Sequence, residues 1–143
     1  MTKHIVVEID DVIADTTSRQ SLLNESFDAY HAACASDKPR VDTVEVLRAL
    51  SSHGHEILAV TGRPARFDKP TLEWLNRYSV PVDEVLMRPD TDYRSEVDVK
   101  AALLENYFGS LDAARERVLV GFESKDRTIE GLRDLGFTIW GLR

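Results

Sequence analysis

Cysteine is nearly absent from this sequence: Cys34 is the only one among 143 residues. An intrachain disulfide is therefore excluded, and a reducing compartment is the simple expectation. Long apolar runs are missing too. None approaches the roughly 20 residues of a membrane span, and no basic segment followed by a signal-like apolar stretch opens the chain. We expect a cytoplasmic protein. Positive charge is in the minority, with 18 Lys and Arg against 25 Asp and Glu and a formal net charge of −7. That argues against broad electrostatic binding to nucleic acid, which needs a basic footprint. It leaves room for a pocket that grips one phosphate with one or two cations. A Gly-x-x-x-x-Gly-Lys-[Ser/Thr] phosphate loop is also lacking, so no P-loop kinase is expected. Internal repeats and low-complexity segments are absent.

What is present reads as one ordinary globular domain over residues 1–143, 43% apolar and 30% charged. Strand and helix patterns alternate. His4 to Glu8 is a short β-branched run ending in charge, as a buried parallel strand should look. Ser21 to Cys34 places Leu22, Leu23, Phe27, Tyr30 and Cys34 at helical spacing. Asp42 is read as the N-cap of a helix with Val44, Leu47 and Leu50 inward, and Gly54 lies just past its end. A second strand, Glu56 to Val60, is broken by Thr61-Gly62-Arg63-Pro64. A short helix over Pro70 to Tyr78 and a third strand over Glu84 to Met87 follow. A helix then starts at Ser95, with Asp98 three residues on. Arg117 to Phe122 is the fourth strand, Lys125 to Leu135 a helix stopped by Gly136, and Phe137 to Trp140 the fifth strand. Trp74, Trp140, Tyr78 and Phe108 are read as core. The alternation predicts an α/β fold, a five-stranded parallel sheet covered by helices on both faces.

Ligands in such sheets bind beyond the carboxyl ends of the strands. The polar candidates fall there: Glu8 and Asp10 after strand one, Thr61 after strand two, Arg88 after strand three, Glu123 after strand four. Glu8, Asp10 and Asp11 would repel one another in a dry pocket, which a divalent cation would relieve, and oxygen ligands suit Mg²⁺. A solvated acidic turn or a helix cap accounts for the same three acids. Thr61-Gly62-Arg63 offers a hydroxyl and backbone N–H groups to a phosphate, or is a plain turn. Lys100 is either a surface lysine or the cation that offsets charge on a transferred phosphoryl group. Arg88 and Arg94 are candidates for gripping substrate phosphate. Ser124 serves equally well as the N-cap of the next helix, and Asp126 as a first-turn acid facing the helix dipole.

The opening run His4 to Asp15 resembles the first motif of the haloacid dehalogenase (HAD) phosphohydrolase superfamily, an apolar strand followed by Asp-x-Asp-x-[Thr/Val]. Here it reads Glu-x-Asp-Asp-Val. The landmarks that follow are Val60-Thr61-Gly62-Arg63, Thr71-Leu72-Glu73-Trp74-Leu75, Leu86-Met87-Arg88-Pro89, Asp92-Tyr93-Arg94 and Val97-Asp98-Val99-Lys100. With the helix from Arg127 to Gly136, they look most like the 3′-phosphatase domain of bacteriophage-type polynucleotide kinase/phosphatase. The resemblance covers almost the whole length. It implies an HAD-like Rossmannoid fold with a minimal cap and a Mg²⁺-dependent phosphomonoesterase. It puts Glu8 in the nucleophile's position and Asp10 in that of the general acid/base. Thr61, Gly62 and Arg63 would bind the phosphoryl group, Lys100 would neutralise nucleophile and phosphate, and Glu8, Asp10 and Glu123 would hold the metal.

Two departures weigh on activity. Glu8 replaces the nucleophilic aspartate, and Ser124 replaces a second acid of the fourth motif. A longer arm shifts the attacking oxygen by about 1 Å, and misplacement on that scale can cost on the order of 100-fold in rate. Two readings stay open: an active phosphatase on a nucleotide or a phosphorylated nucleic-acid end, and a pseudo-phosphatase that binds a nucleotide, a nucleic-acid end or a protein. The segments after Asp15 and after Arg63 are too short for a large cap, so an open site is expected.

Overall fold

The computed structural model describes residues 2–143. Its centre is a five-stranded sheet of β1 (His4–Val7), β4 (Glu56–Pro64), β5 (Glu84–Arg88), β6 (Val118–Glu123) and β7 (Ile139–Gly141). The strands lie in the order β5-β4-β1-β6-β7, and every pairing is parallel. A two-stranded antiparallel ribbon joins β2 (Ala14–Asp15) to β3 (Lys38–Pro39). The sequence offered no sign of it, because two-residue strands have no readable period.

Strand alternation explains how both faces are covered. Ile5 and Val7 of β1, Ile57 and Ala59 of β4, and Val120 and Phe122 of β6 point to one side. There they meet Val44 and Leu47 of α2 (Val41–Ser52) and Trp74 and Leu75 of α3 (Asp68–Arg77). Val6, Leu58 and Val60 point to the other side. They meet Leu104 of α4 (Glu96–Phe108), Ala114 of α5 (Leu111–Arg117) and Ile129 and Leu132 of α6 (Asp126–Asp134). Strands buried on both faces read as unbroken apolar runs, and that is why they were visible in the sequence.

Several boundaries move. The single helix expected over Ser21 to Cys34 is three pieces: a 3₁₀ stretch Thr17–Asn24, α1 (Phe27–Ala32) and a 3₁₀ stretch Ala33–Ser36. Ser26 restarts the chain by accepting a hydrogen bond from the Ala29 N–H at 2.9 Å, and Leu23 and Phe27 are left exposed. Asp42 lies inside the first turn of α2, with Arg40 at the cap position. β4 does not stop at Val60 but runs through Pro64, with an irregularity against β5 between Thr61 and Pro64. The N-cap position of α6 is Lys125, not Ser124, and it makes no side-chain cap. Trp140 is 58% exposed rather than core, being near the end of an edge strand three residues long. Ser95 does cap α4, accepting from the Asp98 N–H at 3.2 Å, and Gly136 follows α6 with φ +96°, the left-handed region that suits glycine.

From β1 the chain passes to β4 and β5 on one side, then returns to β6 and β7 on the other. The connections leaving neighbours β1 and β6 therefore diverge, which opens a crevice at their carboxyl ends. Glu8 follows β1 and Glu123 ends β6.

Candidate active site

Glu8 is pinned at that crevice by its backbone, whose N–H donates to the Phe122 carbonyl at 3.1 Å. Its side chain is buried. Oε1 accepts from the N–H groups of Ile9 at 2.7 Å and Asp10 at 3.4 Å. Oε2 accepts from the Gly62 N–H at 3.3 Å and from Lys100 Nζ at 2.5 Å. Lys100 is 1% exposed and also donates to Glu123 Oε1. It is thus no surface lysine. Burial opposes its charge, but Glu8 and Glu123 hold its pKa well above the usual lysine range. Burial beside Glu8 pushes Glu123 up to about 7, with Lys100 pulling the other way. Glu123 Oε2 is buried with no partner. Removing the lysine would leave two buried carboxylates uncompensated, a change typically worth about 3–5 kcal/mol of stability.

Asp10 occupies a second set of ion pairs. Its Oδ1 accepts from Arg63 Nη2 at 2.5 Å and from Arg19 Nη2 at 2.7 Å. Burial would raise its pKa, but the two guanidinium groups win and hold it below the usual carboxylate range. Arg19 is itself fixed by Asp37, through Nε and Nη2 at 2.9 Å each, and by the Tyr30 carbonyl at 3.0 Å. Arg63 donates onward to Thr71 Oγ1 at 2.8 Å. Asp11 turns the chain with φ +62°, and its Oδ1 accepts from the Thr16 hydroxyl at 2.6 Å.

The remaining candidates take different posts. Thr61 is fully buried beside the site, its hydroxyl accepting from the Arg63 N–H at 3.1 Å. Arg88 binds backbone: Nε to the Gly62 carbonyl at 2.8 Å, Nη1 to the carbonyls of Asp92 at 2.9 Å and Arg94 at 2.7 Å. Its visible work is to brace the loop after β5. Arg94 is exposed and chelates the Asp92 carboxylate at 3.0 and 2.8 Å. Sequence reasoning missed Arg19 and Asp37, which lie in a segment with no motif, and the pair of Glu96 with Lys125 at 2.7 Å. It also missed His31, which lines the cleft with Nδ1 buried and unpartnered. The cleft over Glu8, Asp10, Gly62 and Arg63 holds about 560 Å³, a volume that suits a small ligand. A second groove of about 900 Å³, between α3 and β5, contains none of these residues.

Mg²⁺ asks for near-octahedral oxygen ligands. Glu8, Asp10 and Glu123 supply the right donors and surround one cleft. Among the described residues, however, no three acidic, histidine or cysteine side chains converge to hold one ion. The ion pairs show why: Lys100 bonds both Glu8 and Glu123, while Asp10 is turned to two arginines. In this arrangement the residues do not fit a magnesium ion.

A doubly covered parallel sheet with acids at β1 and β6, a Thr-Gly turn at β4 and a buried lysine on α4 defines an HAD-type phosphatase fold. The family model for the polynucleotide kinase PNKP phosphatase domain matches residues 2–143, and the chain belongs to that family. No curated protein sequence matches it. Among solved structures, it is similar to a chain of a Pnkp1/Rnl/Hen1 complex, at 17% identity and TM-score 0.82, over 99% of this chain and 45% of that one. A chain of the Pnkp1/Rnl/Hen1 RNA repair complex gives 17% and 0.80, over 98% and 42%. The chain thus spans less than half the length of these two relatives. A protein described as a predicted phosphatase from Clostridium acetobutylicum gives 11% and 0.71, over 97% and 83%. At such identities the likeness is one of fold.

Proposed function

We propose that this domain binds the terminal phosphate of a nucleotide or nucleic-acid end and that its hydrolysis of that phosphate is impaired at Glu8. One observation carries the reading. Glu8 Oε2 is bound by the Gly62 N–H and by Lys100, two of the donors that would hold a phosphoryl group by resemblance to the family. The glutamate carboxylate thereby ties up donors that a phosphoryl group would use. Incoming phosphate must then compete with Glu8 for its own receptor.

In the reaction this site would run, a Glu8 oxygen attacks phosphorus, and the bond to the leaving alcohol breaks as Asp10 gives that oxygen a proton. Asp10 then takes a proton from the water that hydrolyses the acyl-phosphate. Asp10 must carry a proton for the first step, whereas Arg19 and Arg63 favour its ionised form. This favours the second reading, a pseudo-phosphatase that binds a phosphorylated end without turning it over. A magnesium requirement is the part of the family chemistry that the present geometry supports least. Two similar structures are chains of Pnkp1/Rnl/Hen1 complexes, which supports a role within a protein assembly.

The experiment is phosphate release from a 3′-phosphorylated oligonucleotide, with and without Mg²⁺, by the native chain, Glu8→Asp and Asp10→Asn. Slow release by the native chain, faster by on the order of 100-fold in Glu8→Asp and lost in Asp10→Asn, is expected. A native rate equal to that of Glu8→Asp would refute the impairment. Phosphate binding without release by either chain would establish the second reading.

A further inference from the structure

Two of the most exposed large apolar side chains line the mouth of the same cleft. Tyr93 is 89% exposed and Phe27 74% exposed. Neither position is loose. Tyr93 sits between two carbonyls, those of Asp92 and Arg94, that Arg88 grips together. The Asp92–Arg94 ion pair closes the same three residues from outside. Phe27 is the first residue of α1, directly after the capping Ser26. The two sides are tied by Arg66, whose side chain pairs with Asp28 beside Phe27 and whose backbone N–H donates to Asp90 Oδ1 at 2.9 Å in the Tyr93 loop. The backbone that carries each ring is braced, and the two rings border one cleft rather than being scattered over the surface, as apolar side chains at a ligand groove are.

Resting on the phosphate-end reading above, we propose that Phe27 and Tyr93 are specificity-determining residues that stack on the last unpaired nucleobases of a single-stranded polynucleotide whose terminal phosphate lies at Gly62 and Lys100. Every base has a π-face, so stacking tolerates any sequence. It also needs no basic surface, which suits a chain of net charge −7. The phosphate site and the rings divide the work, the first selecting a phosphorylated end and the second a strand end free of its complement.

The test measures binding to the full chain, in EDTA to suppress turnover. The probes are a 3′-phosphorylated tetranucleotide, the same molecule with its two terminal sugars abasic, and inorganic phosphate. The native chain should prefer the base-bearing probe over the abasic one by about tenfold or more. That ratio should fall toward one in Phe27→Ala and in Tyr93→Ala, and be kept in Tyr93→Phe. Both side chains are exposed, so the variants should fold. Equal native affinity for the two oligonucleotides, with inorganic phosphate still bound, would overturn the clamp and leave the phosphate-end reading standing. An unchanged ratio in both alanine variants would overturn it as well. If no probe binds, inorganic phosphate included, the phosphate-end reading falls and the clamp with it, and the two rings become a surface for a protein partner.

Discussion

Charge compensation at single residues decides what this site is. Glu8 and Glu123 share the one Lys100 ammonium, whereas Asp10 is paired with both Arg19 and Arg63. His31 lies in the same cleft with its Nδ1 buried and unpartnered. Packed between the rings of Tyr30 and Phe67, at 5.2 and 5.7 Å, it is driven by burial down to about 4, with the Asp10 charge opposing. A histidine depressed on folding takes up a proton in the unfolded chain before it does so in the folded one. Its contribution to stability is therefore complete above about pH 6.5 and is lost as the pH falls toward 4. Glu123, raised to about 7 by burial, acts in the opposite sense: its folded form keeps a proton that the unfolded chain sheds between about 4.5 and 7. Urea unfolding of the native chain and His31→Gln from pH 4 to 7.5 separates the two. The native chain should lose more stability than the variant as the pH falls through 6.5 to 4. Parallel curves would mean that His31 titrates as it would in water.

At the scale of elements, the sheet and its two helical layers were legible because both physical signals were strong. Buried parallel strands give continuous apolar runs, and α2 and α4 carry clear apolar spacing behind their first turns. Of the residues read at four strand ends, Glu8, Asp10, Arg88 and Glu123 line one cleft, while Thr61 is buried beside it. The segment from Thr16 to Arg40 was not legible. Its apolar residues match a helical period, but Ser26 interrupts it and Phe27 faces water, so Arg19 and Asp37 arrive at Asp10 by tertiary packing alone. The sequence also hides how closely α6 approaches α4. A Cβ on Gly131 would meet Val97 at 2.5 and 2.8 Å through its methyl groups and at 3.2 Å through Cβ, which no side-chain rotation relieves. Alanine at this position gains about 1 kcal/mol of helix propensity, while overpacking costs about 1–3 kcal/mol. With three contacts inside normal range, the loss should win. Gly131→Ala should lower the thermal midpoint, and Gly131→Ala with Val97→Ala should restore it. A more stable single variant would show that the two helices slide apart freely. Because α4 also carries Lys100, the single variant should slow whatever phosphate release the native chain has.

For the molecule as a whole, the deciding quantity is the mismatch between the proposed polyanionic ligand and an acidic protein. At −7, long-range repulsion works against binding, so affinity for the proposed strand end must come from short-range contacts. Of the cations that line the cleft, Arg63 is paired with Asp10, Arg66 with Asp28 and Asp90, Arg94 with Asp92 and Lys125 with Glu96, while Arg88 donates to backbone carbonyls. Arg88 is thus the lining cation without a carboxylate partner among the described residues, too little to follow a phosphate backbone. For single strands, the logarithm of the binding constant falls with the logarithm of salt concentration by about 0.7 per phosphate neutralised. A site that holds the terminal phosphate and one neighbour should therefore show a slope of about −1 to −2. Lengthening the oligonucleotide from three to eight nucleotides should add almost nothing to affinity. Anisotropy titrations across a range of salt concentrations read both quantities at once. A slope of about −4 or steeper, growing with strand length, would require a basic track that the ion pairs described above do not leave available. A shallow slope independent of length would mean that the protein recognises an end and not a strand, as the proposed anion site flanked by two exposed rings requires.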